Sequence, residues 1–219
     1  MNDTRIIRVT GRGRLTLRPD TTRITITLEG TYPEYGEALG RSAEDTETLK
    51  EMLSEFGLRR ADVKTLRFQV HEEYESVEEN GVYRQRFAGY KFVHAVKVEF
   101  PSDNERLGRI LYALANGKLH PEFRISYTVA DPEAAKNELL RCAVADARAK
   151  AETLASAAGV ALGNIRRIDY SWGEPDLEVR PVNGLRMAKM SRDEAACDLD
   201  LEPDDIEVND TVTVLWEIA

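Results

Sequence analysis

Apolar and polar positions alternate along most of this chain, and the period of the alternation switches between two and about 3.6 residues. Ile6–Thr10 alternates with charged neighbours, Gly11 and Gly13 interrupt it, and Leu15 and Leu17 resume before Arg18-Pro19-Asp20 turns the chain. Thr22–Glu29 keeps a period of two through Ile24, Ile26 and Leu28. This predicts a strand with a bulge or bend at the glycines, then a hairpin into a second strand. From Pro33 the period lengthens. Tyr35, Ala38, Leu39, Ala43, Thr46, Leu49, Met52, Leu53 and Phe56 fall on one helix face, and Gly57 ends it. A third strand runs through Thr65, Phe68 and Val70. The acidic stretch 72–80 ends in Asn80-Gly81, a strong hairpin signal, and a long return strand carries Tyr83, Phe87, Tyr90, Phe92, His94, Val96, Val98 and Phe100.

A second helix follows Ser102-Asp103, with Leu107, Ile110, Leu111 and Leu114 inward and Gly117 after it. His120–Ala130 reads as a strand. The strongest helical signal is Asp131–Gly159. Asp131 can cap it, Pro132 at the first helical position forgoes no hydrogen bond, and Gly159 can stop it in the left-handed conformation. Its inner face (Ala135, Leu139, Ala143, Ala147, Ala151, Leu154, Ala158) is mostly small, which lets it lie close to a sheet. Strands over Leu162–Trp172 and Ile206–Ile218 complete the chain, with a less ordered acidic segment, 173–205, between them.

Strands outnumber helices and hairpin signals are clear. The fold class expected is therefore α+β: a mostly antiparallel sheet with the long helices Pro33–Phe56 and Pro132–Ala158 on one face and a shorter third helix. With no linker-like composition break before Gly173, residues 1–219 are expected to form a single domain.

Charge narrows the partners. A net charge of −9 and a pI near 5.0 argue against a nucleic-acid backbone. Arg5, Arg8, Arg12, Arg14, Arg18 and Arg23 crowd the N-terminal region, but strand alternation puts most of them on one solvated face. Cys142 in the long helix and Cys197 in the acidic segment make no disulfide framework and no CxxC. No apolar run reaches the length of a signal peptide or a membrane span, so the sequence as given is expected to be cytoplasmic.

Chemistry-bearing patterns are sparse. His71, His94 and His120 show no metal-ligand spacing, and there is no GxSxG, Walker A or kinase signature. Gly11-x-Gly13 lacks the third glycine and following helix of a phosphate loop. The run Asp198-Leu-Asp-Leu-Glu-Pro-Asp-Asp205 resembles a cation loop in composition but lacks its central glycine and spaced glutamate. The aromatic strand 83–100 is expected to supply core on one face and cross-strand pairs on the other, an exposed stacking surface being the minority reading. No catalytic, cofactor-binding or metal-ligating residue is assigned, and no cofactor is expected. The chain reads as a non-enzyme; the alternatives are a small-molecule-binding module, and a hydrolase whose dispersed residues meet only in the fold.

Several stretches resemble one family. VTGRGRLTLRPDTTRITITLEG is similar to the opening of SIMPL-domain proteins, and Ala61-Asp-Val-Lys-Thr65 resembles their D-[IV]-x-T entry to the third strand. The run Ala143, Asp146, Ala147, Arg148, Lys150, Ala151, Glu152, Leu154, Ala155, then Gly159, Leu162 and Gly163, resembles the family's A-x-x-D-A-R-x-K-A-E-x-L-A…G-x-x-L-G. That family has long been described as a domain of unknown function and includes periplasmic immunogenic proteins. The resemblance implies a structural or interaction protein with no catalytic residues to carry over, a loose link to stress responses in some members and self-assembly in others. The sequence departs from the pattern in lacking the export signal of many members, and in having Asp204 where a glycine often follows the proline. Within the run, Asp146 and Lys150 make a favourable i,i+4 pair.

Self-association is the final expectation. The N-terminal strand and Thr211–Ile218 are long, alternating and proline-free, which leaves pairing edges open unless the two strands pair with each other. Strand edges, or the 173–205 segment reaching to a neighbour, would then hold a homo-oligomer together.

Overall fold

The computed structural model describes residues 5–79, 81–170, 176–180 and 202–219. Most of the acidic segment 173–205, with Cys197 and Asp198–Leu201, lies outside the described residues. The elements in order are β1 (Ile6–Leu17), β2 (Thr21–Tyr32), α1 (Tyr35–Ser54), β3 (Lys64–Glu79), β4 (Val82–Pro101), α2 (Asn104–Asn116), β5 (Glu122–Thr128), α3 (Pro132–Ala158), β6 (Leu162–Tyr170) and β7 (Ile206–Ile218). The class is α+β with antiparallel pairing, as the periodicities indicate.

The strands do not form one sheet. They divide into a three-stranded sheet, β1-β7-β6, and a four-stranded sheet, β3-β4-β2-β5. The long helices therefore do not share a face: α3 lies on β1 and β7, and α1 on β2 and β4. Two compact units result. Residues 1–20, 128–179 and 204–219 make the first, and residues 21–127 and 180–203 the second.

In the first unit β1 pairs with β7 residue for residue, from Ile6↔Glu217 to Leu17↔Ile206. This corrects two expectations. Arg18-Pro19-Asp20 closes no hairpin to β2; the Asp20 N–H instead donates to the Thr128 carbonyl (3.1 Å) and the Asp20 carboxylate accepts from the Ala130 N–H (2.7 Å). The β1 glycines make no bulge either. They bring the helix down onto the strand, for a Cβ on Gly11 would stand 2.1 Å from the Ala143 carbonyl oxygen, and one on Gly13 2.2 Å from that of Leu139. Glycine in a strand marks either a bulge or a close backbone approach; the small stripe of α3 decides for the second. Ala143, Ala147 and Ala151 pack there with Val9, Val212, Val214 and Trp216. At the far end Leu139 meets Leu177, Ile206 and Val208. The signals read for α3 are in place: the Asp131 carboxylate accepts from the Ala134 N–H (2.9 Å), and Gly159 sits at φ 68°.

In the second unit β2 and β4 pair from Thr21↔Pro101 to Tyr32↔Tyr90 and bury Ile24, Ile26, Leu28, Phe92, Val96 and Val98. Helix α1 presents Ala38, Ser42, Thr46, Leu49 and Leu53 to this surface. At the start of α2 the Asp103 carboxylate accepts from the Arg106 N–H (3.0 Å). The Arg106 side chain donates to the Phe56 carbonyl (3.0 Å), capping the chain just past α1.

Candidate functional site

Three features carry the chemistry that the described residues offer. The first is a polar chain inside the second unit. Among the apolar inward positions of β4, His94 is 8 % exposed, and both ring nitrogens are engaged. Nδ1 lies 2.9 Å from the Thr46 hydroxyl of α1 and Nε2 3.0 Å from the Thr65 hydroxyl of β3. Thr46 donates its one proton to the Ser42 carbonyl (2.7 Å), so it accepts from Nδ1–H. In the neutral ring Nε2 then accepts from Thr65. The chain joins α1, β3 and β4 and leaves neither ring nitrogen free for proton transfer with a substrate. Burial, seconded by the Lys50 ammonium, lowers the His94 pKa below the ordinary histidine value.

A pH dependence follows. A histidine whose folded pKa is depressed contributes stability that is complete above its unfolded pKa, about 6.5, and is lost as pH falls through the folded value. Urea midpoints of the wild type are therefore expected to drop between pH 7 and pH 5 more steeply than those of His94→Gln. Parallel curves would contradict the neutral, buried ring.

Beside His94 is a cleft of about 290 Å³ lined by Leu39, Ser42, Ala43, Thr46, Glu47, Lys50, Phe68 and His94. Lys50 Nζ stands 3.3 Å from Glu47, which also pairs with Arg60. Phe68 meets the His94 ring edge-on at 5.2 Å.

The second feature is an arm. β2 ends opposite Tyr90, while β3 and β4 run on together to Glu79 and Val82, so the distal hairpin is a two-stranded ribbon. Tyr74, Phe87 and Tyr90 form a train of edge-on rings at 5.7 and 5.3 Å, and Tyr35 continues it from α1 at 5.6 Å. These side chains are open: Tyr83 is 71 % exposed, Tyr74 51 % and Phe87 45 %. The strand read as core plus cross-strand pairs thus splits at Gly89 (φ 140°), with Phe92 and Phe100 buried on one side of it and exposed aromatic rings on the other.

The third feature is in the first unit. The Asp146 carboxylate accepts from the Arg12 N–H (2.7 Å) and pairs with Lys150 (2.7 Å), whose ammonium donates to the Thr10 carbonyl (3.4 Å). This ion pair stands where a neighbouring strand would bond and occupies part of the open edge of β1. Lys150 and the Arg12 N–H hold Asp146 below the usual carboxylate pKa.

The histidines do not assemble. His71 faces Glu73 at 3.5 Å on the surface and His120 lies in a turn at φ 42°. Among the described residues, no three His, Cys, Asp or Glu side chains come together as metal ligands. Cys142 is half-buried on α3. Arg8, Arg12 and Arg14 share the outward face of β1, as their spacing indicates, and Arg23 pairs with Glu99 (2.7 Å). Among the described residues no helix is long and apolar enough to cross a membrane, which leaves membrane crossing by strands open.

Comparison with known proteins gives a match to the family model SIMPL, "Protein of unknown function (DUF541)", over residues 7–216. Two relatives, each called "26 kDa periplasmic immunogenic protein", come from Brucella melitensis biotype 1 and Brucella abortus strain S19. Each is 26% identical over 163 residues, which cover 74% of this chain and 65% of the relative.

Proposed function

We propose, from the premise that the chain belongs to the SIMPL family, that it is a non-enzymatic structural protein that self-associates, and that copies meet through the β3–β4 arm. The supporting observation is the arm itself. An isolated two-stranded ribbon is marginal in water, because it buries too little to offset the entropy of ordering it. This one keeps its faces exposed and has pairing edges on both sides, since β3 is an outer strand and β4 outruns β2.

The two edges differ in charge. Glu72, Glu73, Glu75 and Glu78 line β3, while Arg84 and Arg86 lie on β4. Within one copy Arg86 already pairs with Glu75, which leaves the β3 side in acidic excess. In a head-to-tail contact the arginines of the β4 edge of one copy would meet the glutamates of the β3 edge of the next. Such head-to-tail pairing closes into rings or runs on as filaments. We take residues 1–219 as one functional domain, because the family match runs through both units.

Charge reversal tests the arm. Arg84→Glu with Arg86→Glu is expected to abolish assembly, as is Glu75→Arg with Glu78→Arg. A mixture of the two variants should restore association in a one-to-one ratio. Assembly of either variant at wild-type level would place the interface elsewhere.

A further inference from the structure

We propose that the cleft between α1 and the β3–β4 pair binds a small aromatic monocarboxylate. The inference is independent of self-association, because the cleft lies outside the distal arm.

Four observations converge on it. The cleft, about 290 Å³, is at the small end of the range for ligand pockets, which suits a single ring and little more. Its walls are apolar and open, for Leu39 and Phe68 stay 37 % and 48 % exposed. A ring inserted between them would cover both. Ser42 lines the cleft at 2 % exposure, and its hydroxyl has no hydrogen-bond partner among the described residues, whereas its neighbours Thr46 and His94 are fully engaged. A hydroxyl that lines the cleft without a protein partner is available to a ligand, and a carboxylate oxygen can accept its proton.

The fourth observation is charge. Lys50 and Arg60 flank the single carboxylate of Glu47, so two cations and one anion leave one positive charge at the rim, on a molecule whose net charge is −9. His94 adds no charge while it stays neutral. One unmatched positive charge beside an apolar slot fits a monoanion. A doubly charged phosphate would be undercompensated, and a neutral ring would leave the charge unused.

Equilibrium dialysis of the full chain tests this whatever its assembly state. Benzoate is the probe; benzyl alcohol keeps the ring without the charge, and acetate the charge without the ring. Benzoate is expected to bind saturably, at one site per chain. Benzyl alcohol should bind about tenfold more weakly, which corresponds to one charge-assisted contact, and acetate should show no saturable binding. Ser42→Ala should weaken benzoate several-fold, and Lys50→Met should bring benzoate down to the level of benzyl alcohol. Both variants should keep the wild-type circular dichroism spectrum. Absence of saturable benzoate binding would overturn the proposal. So would equal binding of benzoate and benzyl alcohol to the wild type, or benzoate binding that Lys50→Met and Phe68→Ala both leave unchanged.

Discussion

Gly11→Ala is expected to lower stability by about 3 kcal/mol or more, a large part of the roughly 5–15 kcal/mol that holds a domain folded. The added methyl would meet the Ala143 carbonyl oxygen at 2.1 Å and the Ala147 nitrogen at 2.4 Å. Both are helix backbone, so no rotamer change relieves the clash and α3 must lift. Lifting uncovers Val9, Val212, Val214 and Trp216 together, which takes the cost to the top of the usual overpacking range or past it. Gly13→Ala, facing the Leu139 carbonyl at 2.2 Å, should cost nearly as much. Gly40→Ala in α1 is the control. Nothing lies within 4 Å of its added methyl, and removing a glycine from a helix interior should stabilise by about 0.5–1 kcal/mol. Urea unfolding of the three variants checks both signs. A Gly11→Ala protein as stable as the wild type would mean that α3 does not rest on β1 as closely as described.

Phe92→Ala should cost about 3–5 kcal/mol, and Phe87→Ala, five positions earlier on the same strand, about 1 kcal/mol or less. Phe92 is fully buried and stacks on Tyr32, with ring centres 6.2 Å apart and an interplanar angle of 8°. Removing it opens a cavity among the packed residues of β2 and β4. Phe87 makes its ring contacts with Tyr74 of the arm and Tyr90 at its base, and keeps 45 % of its surface in water. Its loss should instead weaken assembly at unchanged thermal midpoint. Equal stability losses in the two variants would mean that the arm is integral to the core, not a projection from it.

These two predictions separate what the sequence carries from what it hides. Local signals were legible because they act within a few residues. Asp131, Pro132 and Gly159 bound α3, and Asp103 starts α2. The inward stripes follow their spacing only in part. Ala38, Thr46, Leu49 and Leu53 of α1 and Leu139, Ala143, Ala147 and Ala151 of α3 are buried. Tyr35, Leu39 and Ala43 on α1 and Leu154 and Ala158 on α3, read as inner positions, are exposed, and Ser42 takes a buried place instead. Strand partners were not legible. The alternation of β1 is as compatible with β2 as with β7, and the choice of β7, near the other end of the chain, depends on α3 burying Gly11 and Gly13. That choice also puts β7 in the middle of its sheet and removes it as a free edge, the proviso attached to the expected self-association.

The polar chain at His94 left a partial trace. Ser42 and Thr46 interrupt the stripe of Ala38, Leu49 and Leu53 at a spacing of four, and His94 alternates inward with Phe92 and Val96. Two polar helix positions facing an inward histidine point to a buried hydrogen-bonded chain, but the pairing of elements that brings Thr65 to the other ring nitrogen is long-range. Asp146 and Lys150 read on sequence as an ordinary surface pair, and only the strand beside them shows that they also bond the backbone of β1.

Light scattering behind a sizing column, at tens of micromolar chain and at low and physiological salt, tests the central claim most directly. The copies repel through a net charge of −9, screened over about 8 Å at physiological ionic strength, while complementary arm edges attract at contact distance. The expected result is a mass of several chains in both salts, with the larger share assembled at physiological salt, and a monomer when Arg84→Glu and Arg86→Glu are combined. A single species of monomer mass at both salts would contradict the account and leave a monomeric binding module as the better reading of this chain.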